Sequence, residues 1–467
     1  MTVWDKSYFL DSLKSAARRL QSAPIGIPQG RLRRVTGLLL EVEGVRQEIG
    51  ARCCVQGPKG MGWIDAECVG FRDEITYLMA FDPVGGLMPG ALVIPATYLS
   101  SEGDRYQEFS QGSALPIGQA LLGRIVDGLG RALDNQGDPH GAAQQKDLNF
   151  RYLRPNPLRR RMIEEPLDTG LRVVNSLLTV GKGQRLGIFA GSGVGKSVLI
   201  SMLTRHCAAD VIVVALVGER SREVREFYEN SLTEEARART VLVTSPADTS
   251  PLARARGAEY AAEVAAYFRD AGMNVVMIVD SLTRYAIACR EISMSMGEPP
   301  VSRGYPPSVF AKLTSLVEKA GNGEKEQGSL TAFYTVLLDS DDAVDPVADA
   351  ARGVLDGHLF LSRSLANSGH FPAIDVERSI SRVMPQVVSS EHLQLSALMR
   401  GLISKYMQSR DMVMMGAYTP GLDKQLDFAL QTWPRLEQFL QQGPMDYISL
   451  HDSVSQLKKI LSGDGRP

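Results

Sequence analysis

A glycine-rich stretch in the middle of the chain has the residue order of a phosphate-binding loop. Residues 183–203 read GQRLGIFAGSGVGKSVLISML, which is a short apolar run, a cluster of glycines, and then Lys196 and Ser197 at the start of an apolar helical segment. Glycines let successive backbone N–H groups face a bound phosphate, and the N-terminus of the helix adds its partial positive charge. Lys196 would contact the β- and γ-phosphates of a nucleotide, and the Ser197 hydroxyl would bind Mg²⁺.

The pattern G-x-x-x-x-G-K-[ST] has a glycine where this chain has Ala190, but the glycines that would line the phosphates remain. The residues that we predict to bind the phosphates are Gly191, Ser192, Gly193, Val194, Gly195, Lys196 and Ser197. The alternative is a glycine-rich turn before an ordinary helix, which the order of strand, loop, Lys-Ser pair and helix disfavours.

Two other apolar runs end in charged residues that could complete a site for phosphate chemistry. Residues 275–279 run into Asp280, a pattern that holds Mg²⁺ through water in phosphate-loop enzymes. Residues 211–217 run into Gly218, Glu219 and Arg220, so Glu219 is the candidate for orienting the attacking water and Arg220 for contacting the γ-phosphate. A salt bridge at the end of a strand is the alternative role for Glu219.

The elements that position these residues alternate between strands and helices. The predicted strands of the core are residues 186–190, 211–217, 241–244, 275–279 and 330–338. A helix is predicted over residues 251–271, with Ser250 as its N-cap and Pro251 at its first position. This alternation predicts a RecA-like α/β core with a mainly parallel sheet, whose ligand binds at the carboxyl ends of the strands.

Residues outside the core predict three further regions. Residues 1–24 have the apolar periodicity of an amphipathic helix, which either packs as a lid on its own domain or docks onto a partner or an anionic membrane surface. Residues 25–98 contain short strand-like runs, such as 34–42 and 74–81, which predict a small β-barrel. We assign residues 99–384 to the phosphate-loop domain and residues 385–467 to a helical C-terminal domain.

Composition limits the class of protein. The chain has 467 residues, 44% of them hydrophobic, and a formal net charge of −2, so it lacks the basic excess that is typical of nucleic-acid-binding proteins. Its five cysteines form no C-x-x-C pair and its six histidines show no ligand spacing, which predicts reduced thiols and no structural zinc. No signal peptide or spanning apolar run is visible, so we expect a cytoplasmic protein with at most peripheral membrane contact.

Five motifs together resemble the catalytic subunits of rotary-type hexameric ATPases. Besides the phosphate loop, they are LVGERSREVREF (216–227), VDSLTRYA (279–286), GEPPVSRGYPPSVF (297–310) and GHFPAIDVERSISRVMP (369–385). The resemblance covers nearly the whole chain. The segment FAGSGVGKSVL, with Ala190 in place of the first glycine, is most similar to the flagellar type III export ATPases, and the injectisome secretion ATPases are related to these.

The resemblance implies roles for individual residues around bound ATP and Mg²⁺. Glu219 would be the catalytic carboxylate, Glu223 and Asp280 would order the waters of the metal, and Arg220 and Arg284 would lie near the γ-phosphate. Each of these residues stands at the matching position of its motif.

The resemblance further implies a ring, a homohexamer with six equivalent sites. Arg382 matches an arginine that reaches across the subunit interface to the neighbouring site, with Arg363 as the alternative for that role. Phe371 and Tyr418 match aromatic residues that sandwich the adenine, although ordinary core packing is the alternative for Phe371. The acidic loop at residues 339–342 falls where related enzymes contact their stalk, and a plain solvated loop is equally compatible with its sequence.

The resemblance predicts an ATPase that couples hydrolysis to chaperone release and to the export of flagellar proteins. Its implied partners are a regulatory stator-like protein and anionic lipid at the N-terminal helix, a coiled-coil stalk protein, export chaperones and gate proteins, at the inner face of the membrane at the flagellar base. The alternatives are an injectisome ATPase, a ring-shaped RNA translocase and a non-catalytic ATP synthase subunit. Near-neutral charge disfavours RNA, and Glu219 beside an intact Lys196–Ser197 pair disfavours a subunit that does not hydrolyse ATP.

Overall fold

A computed structural model describes residues 28–58, 62–96, 114–139, 144–147, 156–338 and 345–462. The predicted N-terminal helix and the acidic loop at 339–342 lie outside these residues. The chain forms two compact units: the first runs to Ala80 and resumes from Val84 to Ser113, and the second contains Phe81–Pro83 and continues from Ala114. The domain boundaries predicted at residues 24, 98 and 384 stay predictions.

The first unit contains a closed six-stranded barrel. Its strands pair in the order β1-β2-β5-β4-β3-β6, and β6 pairs with β1 to close the barrel. The strands are β1 (Gly30–Thr36), β2 (Leu39–Glu43), β3 (Arg52–Gln56), β4 (Trp63–Arg72), β5 (Ile75–Ala80) and β6 (Leu92–Pro95). The prediction of one strand over residues 34–42 is wrong. The chain turns at Gly37, whose φ of 59° favours glycine, so these residues belong to two antiparallel strands.

The second unit is built on a nine-stranded sheet. Its order is β19-β18-β12-β17-β15-β13-β14-β8, with β16 paired to β17 off this path. The strands of this unit are β7 (Ala114–Ile117), β8 (Ile125–Asp127), β9 (Gln144–Asp147), β10 (Pro166–Leu167), β11 (Val180–Gly181), β12 (Arg185–Ala190), β13 (Val211–Val217), β14 (Thr240–Ser245), β15 (Asn274–Asp280), β16 (Gly321–Asn322), β17 (Ser329–Leu337), β18 (Gly357–Leu361) and β19 (Ile374–Ser381).

The central strands of this sheet are parallel, as predicted. β12, β17, β15, β13 and β14 all pair in parallel, and every residue of β13 is buried, because helices cover both faces of such a sheet. The edges were not predicted. β8 joins in parallel beside β14, and β19 pairs antiparallel with β18.

Helices fill the connections of the sheet and make up the C-terminal region. They are α1 (Arg172–Leu177), α2 (Lys196–His206), α3 (Ser221–Glu226), α4 (Glu234–Ala238), α5 (Pro251–Asp270), α6 (Leu282–Ser295), α7 (Pro307–Glu318), α8 (Pro346–Val354), α9 (Arg363–Asn367), α10 (Met384–Val387), α11 (Ser390–Met414), α12 (Lys424–Leu440) and α13 (Leu450–Leu461), with a 3₁₀ turn at Gln119–Leu121 and a π-helical turn at Phe227–Ser231. As predicted, the Ser250 hydroxyl caps α5 by accepting a hydrogen bond from the N–H of Ala253.

The predicted fold class is confirmed: a small barrel, a mainly parallel phosphate-loop core and a helical C-terminal region. The last helices pack on the core rather than standing apart, since apolar residues of α11, α12 and α13 share one buried cluster with those of α1 and α2. None of the helices within the described ranges is long and apolar enough to cross a membrane.

Candidate active site

The phosphate loop connects the buried strand β12 to helix α2. Gly193 and Gly195 have φ values of 76° and 93°, in the left-handed region that glycine adopts without strain. A Cβ atom at Gly195 would also come within 3.3 Å of the Phe371 ring. Ala190, which stands where the pattern has glycine, is fully buried as the last residue of β12, and its carbonyl accepts a hydrogen bond of 3.0 Å from Leu338. Its methyl group therefore points into the core and not into the loop.

Lys196 lies between the two carboxylates that end neighbouring strands. Its Nζ is 3.0 Å from Glu219 Oε1 and 2.6 Å from Asp280 Oδ1. All three side chains are nearly buried, with exposed fractions of 13%, 6% and 6%. Burial acts to lower the pKa of Lys196, but the carboxylates outweigh it and the pKa is raised. Lys196 is therefore protonated at neutral pH and paired with both carboxylates.

A threonine that the sequence analysis missed holds Asp280 from the next strand. The hydroxyl of Thr335, on β17, donates to Asp280 Oδ1 over 2.6 Å and is fully buried. β17 lies beside β15 in the sheet, and Val279 is the register partner of Tyr334, so the residues after these two also meet. Thr335 could have been identified only by knowing that β17 lies beside β15, and the sequence does not reveal which strands are neighbours.

Glu219 is also held from its other side. Arg284 Nη2 lies 3.3 Å from Glu219 Oε2, and Arg284 Nη1 donates a hydrogen bond to the carbonyl of Gly218. Arg284 stands in the first turn of α6, where the N-cap hydroxyl of Ser281 accepts a hydrogen bond from its N–H. The carboxylate of Glu219 is therefore fixed between two cations beside the phosphate loop.

A cavity of about 850 Å³ brings most of the predicted residues together. The predicted site residues that line it are Gly191, Ser192, Gly193, Gly195, Lys196, Ser197, Glu219, Arg220, Glu223, Asp280 and Arg284. Val194 is buried behind the loop. Arg220 and Glu223 lie at the solvent side, where the Arg220 side chain is 81% exposed and 3.9 Å from the Glu223 carboxylate. The set of hydroxyl and carboxylate oxygens fits the ligands that Mg²⁺ prefers.

Phe371 and Tyr418 do not line one described cavity together. Phe371, 40% exposed, lines a second cavity of about 730 Å³, whose wall also includes Phe439 and Gln442. Tyr418 lines neither of these two cavities, and its hydroxyl donates to Asp427 Oδ1 over 2.8 Å. The ring of Phe371 lies against Gly195, so this aromatic residue joins the phosphate loop to the second cavity. The adenine-binding roles of Phe371 and Tyr418 stay predictions.

Arg382 lines neither of the two cavities described above. It follows the edge strand β19 and is exposed, and its guanidinium donates to the carbonyl oxygens of Leu355 at 3.2 Å and of Arg352 at 3.5 Å. These carbonyls lie at the end of α8, where a cation is favoured by the helix dipole. The role of Arg382 at a neighbouring site stays a prediction.

Three family models match the chain. They are the nucleotide-binding domain of the ATP synthase alpha/beta family over residues 170–381, the β-barrel domain of that family over residues 32–96, and the C-terminal domain of the type III secretion ATPase EscN over residues 388–459. Together they cover most of the described residues.

Curated relatives match over nearly their whole length. The flagellum-specific ATP synthase of Pseudomonas aeruginosa is 50% identical, covering 96% of this chain and 98% of its own, and that of Salmonella typhimurium is 48% identical, covering 97% and 98%. The type 3 secretion system ATPase of Xanthomonas euvesicatoria is 42% identical, covering 96% and 97%. The solved structure of the assembled ATPase EscN from enteropathogenic E. coli has a TM-score of 0.82 at 38% identity, covering 92% of this chain and 99% of that one.

Proposed function

The chain belongs to the ATP synthase alpha/beta family, among the flagellum-specific and type III secretion ATPases, and we propose that it couples ATP hydrolysis to the export of flagellar proteins. ATP is the substrate that the family and the phosphate loop imply. The observation that carries the hydrolytic part of the proposal is the contact of Lys196 with both Glu219 and Asp280 beneath the loop.

Different residues of this site would bind the phosphates, orient the attacking water and hold Mg²⁺. The triphosphate would lie on the loop N–H groups, and Lys196 would leave Glu219 and Asp280 to contact the β- and γ-phosphates. Glu219, freed on one oxygen and still held by Arg284 on the other, would orient the attacking water and accept its proton. Ser197, Asp280 and Glu223 would hold Mg²⁺ directly or through water. The metal, when bound, would neutralise charge on the phosphates.

The proposed assembly is a homohexameric ring in which Arg382 serves the neighbouring subunit. Its exposure just after the edge strand β19, outside the cavity of the phosphate loop, supports this assignment. An arginine of this kind is worth about 10³- to 10⁵-fold in turnover. The E. coli relative EscN has been solved both assembled and with its central stalk EscO, and the latter structure has a TM-score of 0.81 with this chain. We therefore propose a coiled-coil stalk protein as a partner.

The remaining proposed partners concern export. The N-terminal helix over residues 1–24 would bind a regulatory stator-like protein and anionic lipid, which would keep the cytoplasmic ring against the inner face of the membrane at the flagellar base. Chaperones that deliver cargo, and the proteins of the export gate, would act on the assembled ring. An injectisome is the second candidate setting, favoured by the EscN C-terminal domain match and by the 42% identical Xanthomonas relative.

The proposal is tested by flagellin secretion from the source cell. The native gene is replaced by Lys196→Ala, by Glu219→Gln, or by the control Glu391→Gln, whose carboxylate pairs with Lys458 on the surface. We expect secreted flagellin to fall sharply in the first two strains while the cytoplasmic pool persists, and to be normal in the control. Normal secretion from a strain whose purified Lys196→Ala protein lacks ATPase activity would refute the flagellar assignment.

A further inference from the structure

Arg363 lies against the phosphate loop of its own chain. Strand β18 runs parallel to β12 with Leu361 opposite Ala190, so Arg363 emerges at the same edge of the sheet as the loop. Its Nη2 donates a hydrogen bond of 3.3 Å to the carbonyl oxygen of Ser192. The guanidinium also lies close to the loop backbone, because a Cβ atom at Gly191 would come within 3.1 Å of the same Nη2.

The segment from Arg363 to Phe371 touches the loop at both ends. Arg363 contacts the first half of the loop, and the Phe371 ring packs against Gly195 at its last turn before α2. Backbone hydrogen bonds hold the segment in place: Ser362 donates to the carbonyl of Ala373 over 2.9 Å, and His370 donates to that of Leu365 over 3.0 Å. The loop is thus supported by one short, internally bonded segment.

The bond to Ser192 acts on the group that would meet a phosphate. In a trans peptide the carbonyl oxygen and the amide hydrogen point in opposite directions, so holding the oxygen of Ser192 directs the N–H of Gly193 away from Arg363. A cationic donor on the carbonyl also polarises the peptide and strengthens that N–H as a donor. The guanidinium adds a positive charge close to where the phosphates would lie.

Resting on the proposed function, we propose that Arg363 is a positioning residue for nucleotide binding: it fixes the Ser192–Gly193 peptide of its own phosphate loop and raises the affinity of that loop for ADP and ATP. It acts within one chain, unlike Arg382. Because the contact is equally available to either nucleotide, its loss weakens binding without removing the groups that carry hydrolysis.

The first test measures the affinity of the purified full chain for Mg²⁺-ADP by calorimetry. Arg363→Gln should raise the dissociation constant roughly three- to tenfold, since an exposed charge-assisted contact is worth less than a buried one. Arg363→Lys should give a smaller rise, and the control Arg410→Gln, an exposed arginine on α11, should give none. KM for ATP should rise in parallel while kcat stays near wild type, with an unchanged melting temperature. Unchanged affinity in both Arg363 variants, or lost kcat with affinity retained, would overturn the proposal.

The second test separates action within a chain from action across an interface. Arg363→Gln chains are mixed with Lys196→Ala chains, and turnover per Arg363→Gln chain is measured at ATP below KM. A residue acting within its own chain gains nothing from the mixture, whereas a residue supplied across the interface regains activity, as the Arg382→Ala and Lys196→Ala mixture should. Recovery in the Arg363 mixture would overturn the proposal. If Lys196→Ala alone bound ATP normally, the proposed function would fail. The ADP titrations would still show whether Arg363 raises the affinity of the loop for nucleotide.

Discussion

Replacing Thr335 with valine tests whether the sheet, and not only the loop, prepares the site for Mg²⁺. Thr335 is fully buried on β17, and its hydroxyl donates to the same Asp280 oxygen that Lys196 contacts, each over 2.6 Å. Valine has the shape of threonine but lacks the donor. Asp280 would keep its ion pair with Lys196 only until a nucleotide draws the lysine away, after which Thr335 is the donor that still holds this oxygen.

The magnitude follows from the type of bond. A hydrogen bond to a charged group contributes about 1.5 to 3 kcal/mol, and the lower end applies here because Asp280 can relax toward bound water. About 1.5 kcal/mol corresponds to roughly tenfold in an equilibrium constant. We therefore expect Thr335→Val to need about ten times more free Mg²⁺ for half-maximal turnover. The added buried methyl group offsets part of the lost bond, so the melting temperature should fall by less than about 2 °C.

The assay is phosphate release at saturating ATP over a range of Mg²⁺ concentrations. Thr204→Val is the matched control: Thr204 is equally buried on α2, but its hydroxyl donates to the Ile200 carbonyl of its own helix over 2.8 Å. The control should keep the wild-type Mg²⁺ requirement. Wild-type Mg²⁺ dependence in Thr335→Val, or an equal shift in Thr204→Val, would refute the reasoning.

Three further predictions address other parts of the chain. Arg382→Ala should leave the melting temperature and ADP binding intact while lowering turnover about 10³-fold or more, and wild-type turnover would remove this residue from its role. Burial raises the pKa values of Cys207 and Cys289 to about 12. These thiols should therefore react slowly with a thiol reagent at pH 8 in the native chain and react completely once guanidinium unfolds it. Rapid labelling of the native chain would contradict this prediction. Burial lowers the pKa of His392, so the unfolded chain gains a proton there as the pH falls below about 6.5, while the folded chain does not. The free energy of unfolding, measured in urea, should therefore fall between pH 7.5 and pH 5.5. The fall should be smaller in His392→Gln.

The sequence predicted which charged residues meet at the site because those residues lie at strand ends. Apolar β-branched runs ending in Glu219 and Asp280, and one leading into Lys196, indicate parallel strands, and such strands bring their carboxyl ends to one edge. Which strands are neighbours is a long-range property that no local pattern contains. The sequence therefore predicted the carboxylate of Asp280 but not its support by Thr335, which comes from a strand 55 residues further along the chain.

The surroundings of side chains in connections could not be predicted from the sequence for a related reason. Phe371 and Tyr418 were paired by resemblance alone, but Tyr418 stands in the connection between two helices and bonds to Asp427 on the second of them. A connection is positioned by the elements at its ends, so its side chains follow helix packing that residue type does not determine. Arg363 is a similar case, since only the pairing of β18 with β12 puts its guanidinium beside Ser192.

The charges of the resting site decide which substitution gives the clearer test of catalysis. Lys196 and Arg284 together balance Glu219 and Asp280. Lys196→Ala leaves Asp280 buried without its cation, and breaking a buried pair in this way costs about 3 to 5 kcal/mol, so lost function in that variant could reflect lost stability. Glu219→Gln keeps the shape and an oxygen that can accept from Lys196, while Arg284 is about one-third exposed and can be solvated. A Glu219→Gln chain that melts normally, binds ATP and does not hydrolyse it would therefore attribute the loss to catalysis alone.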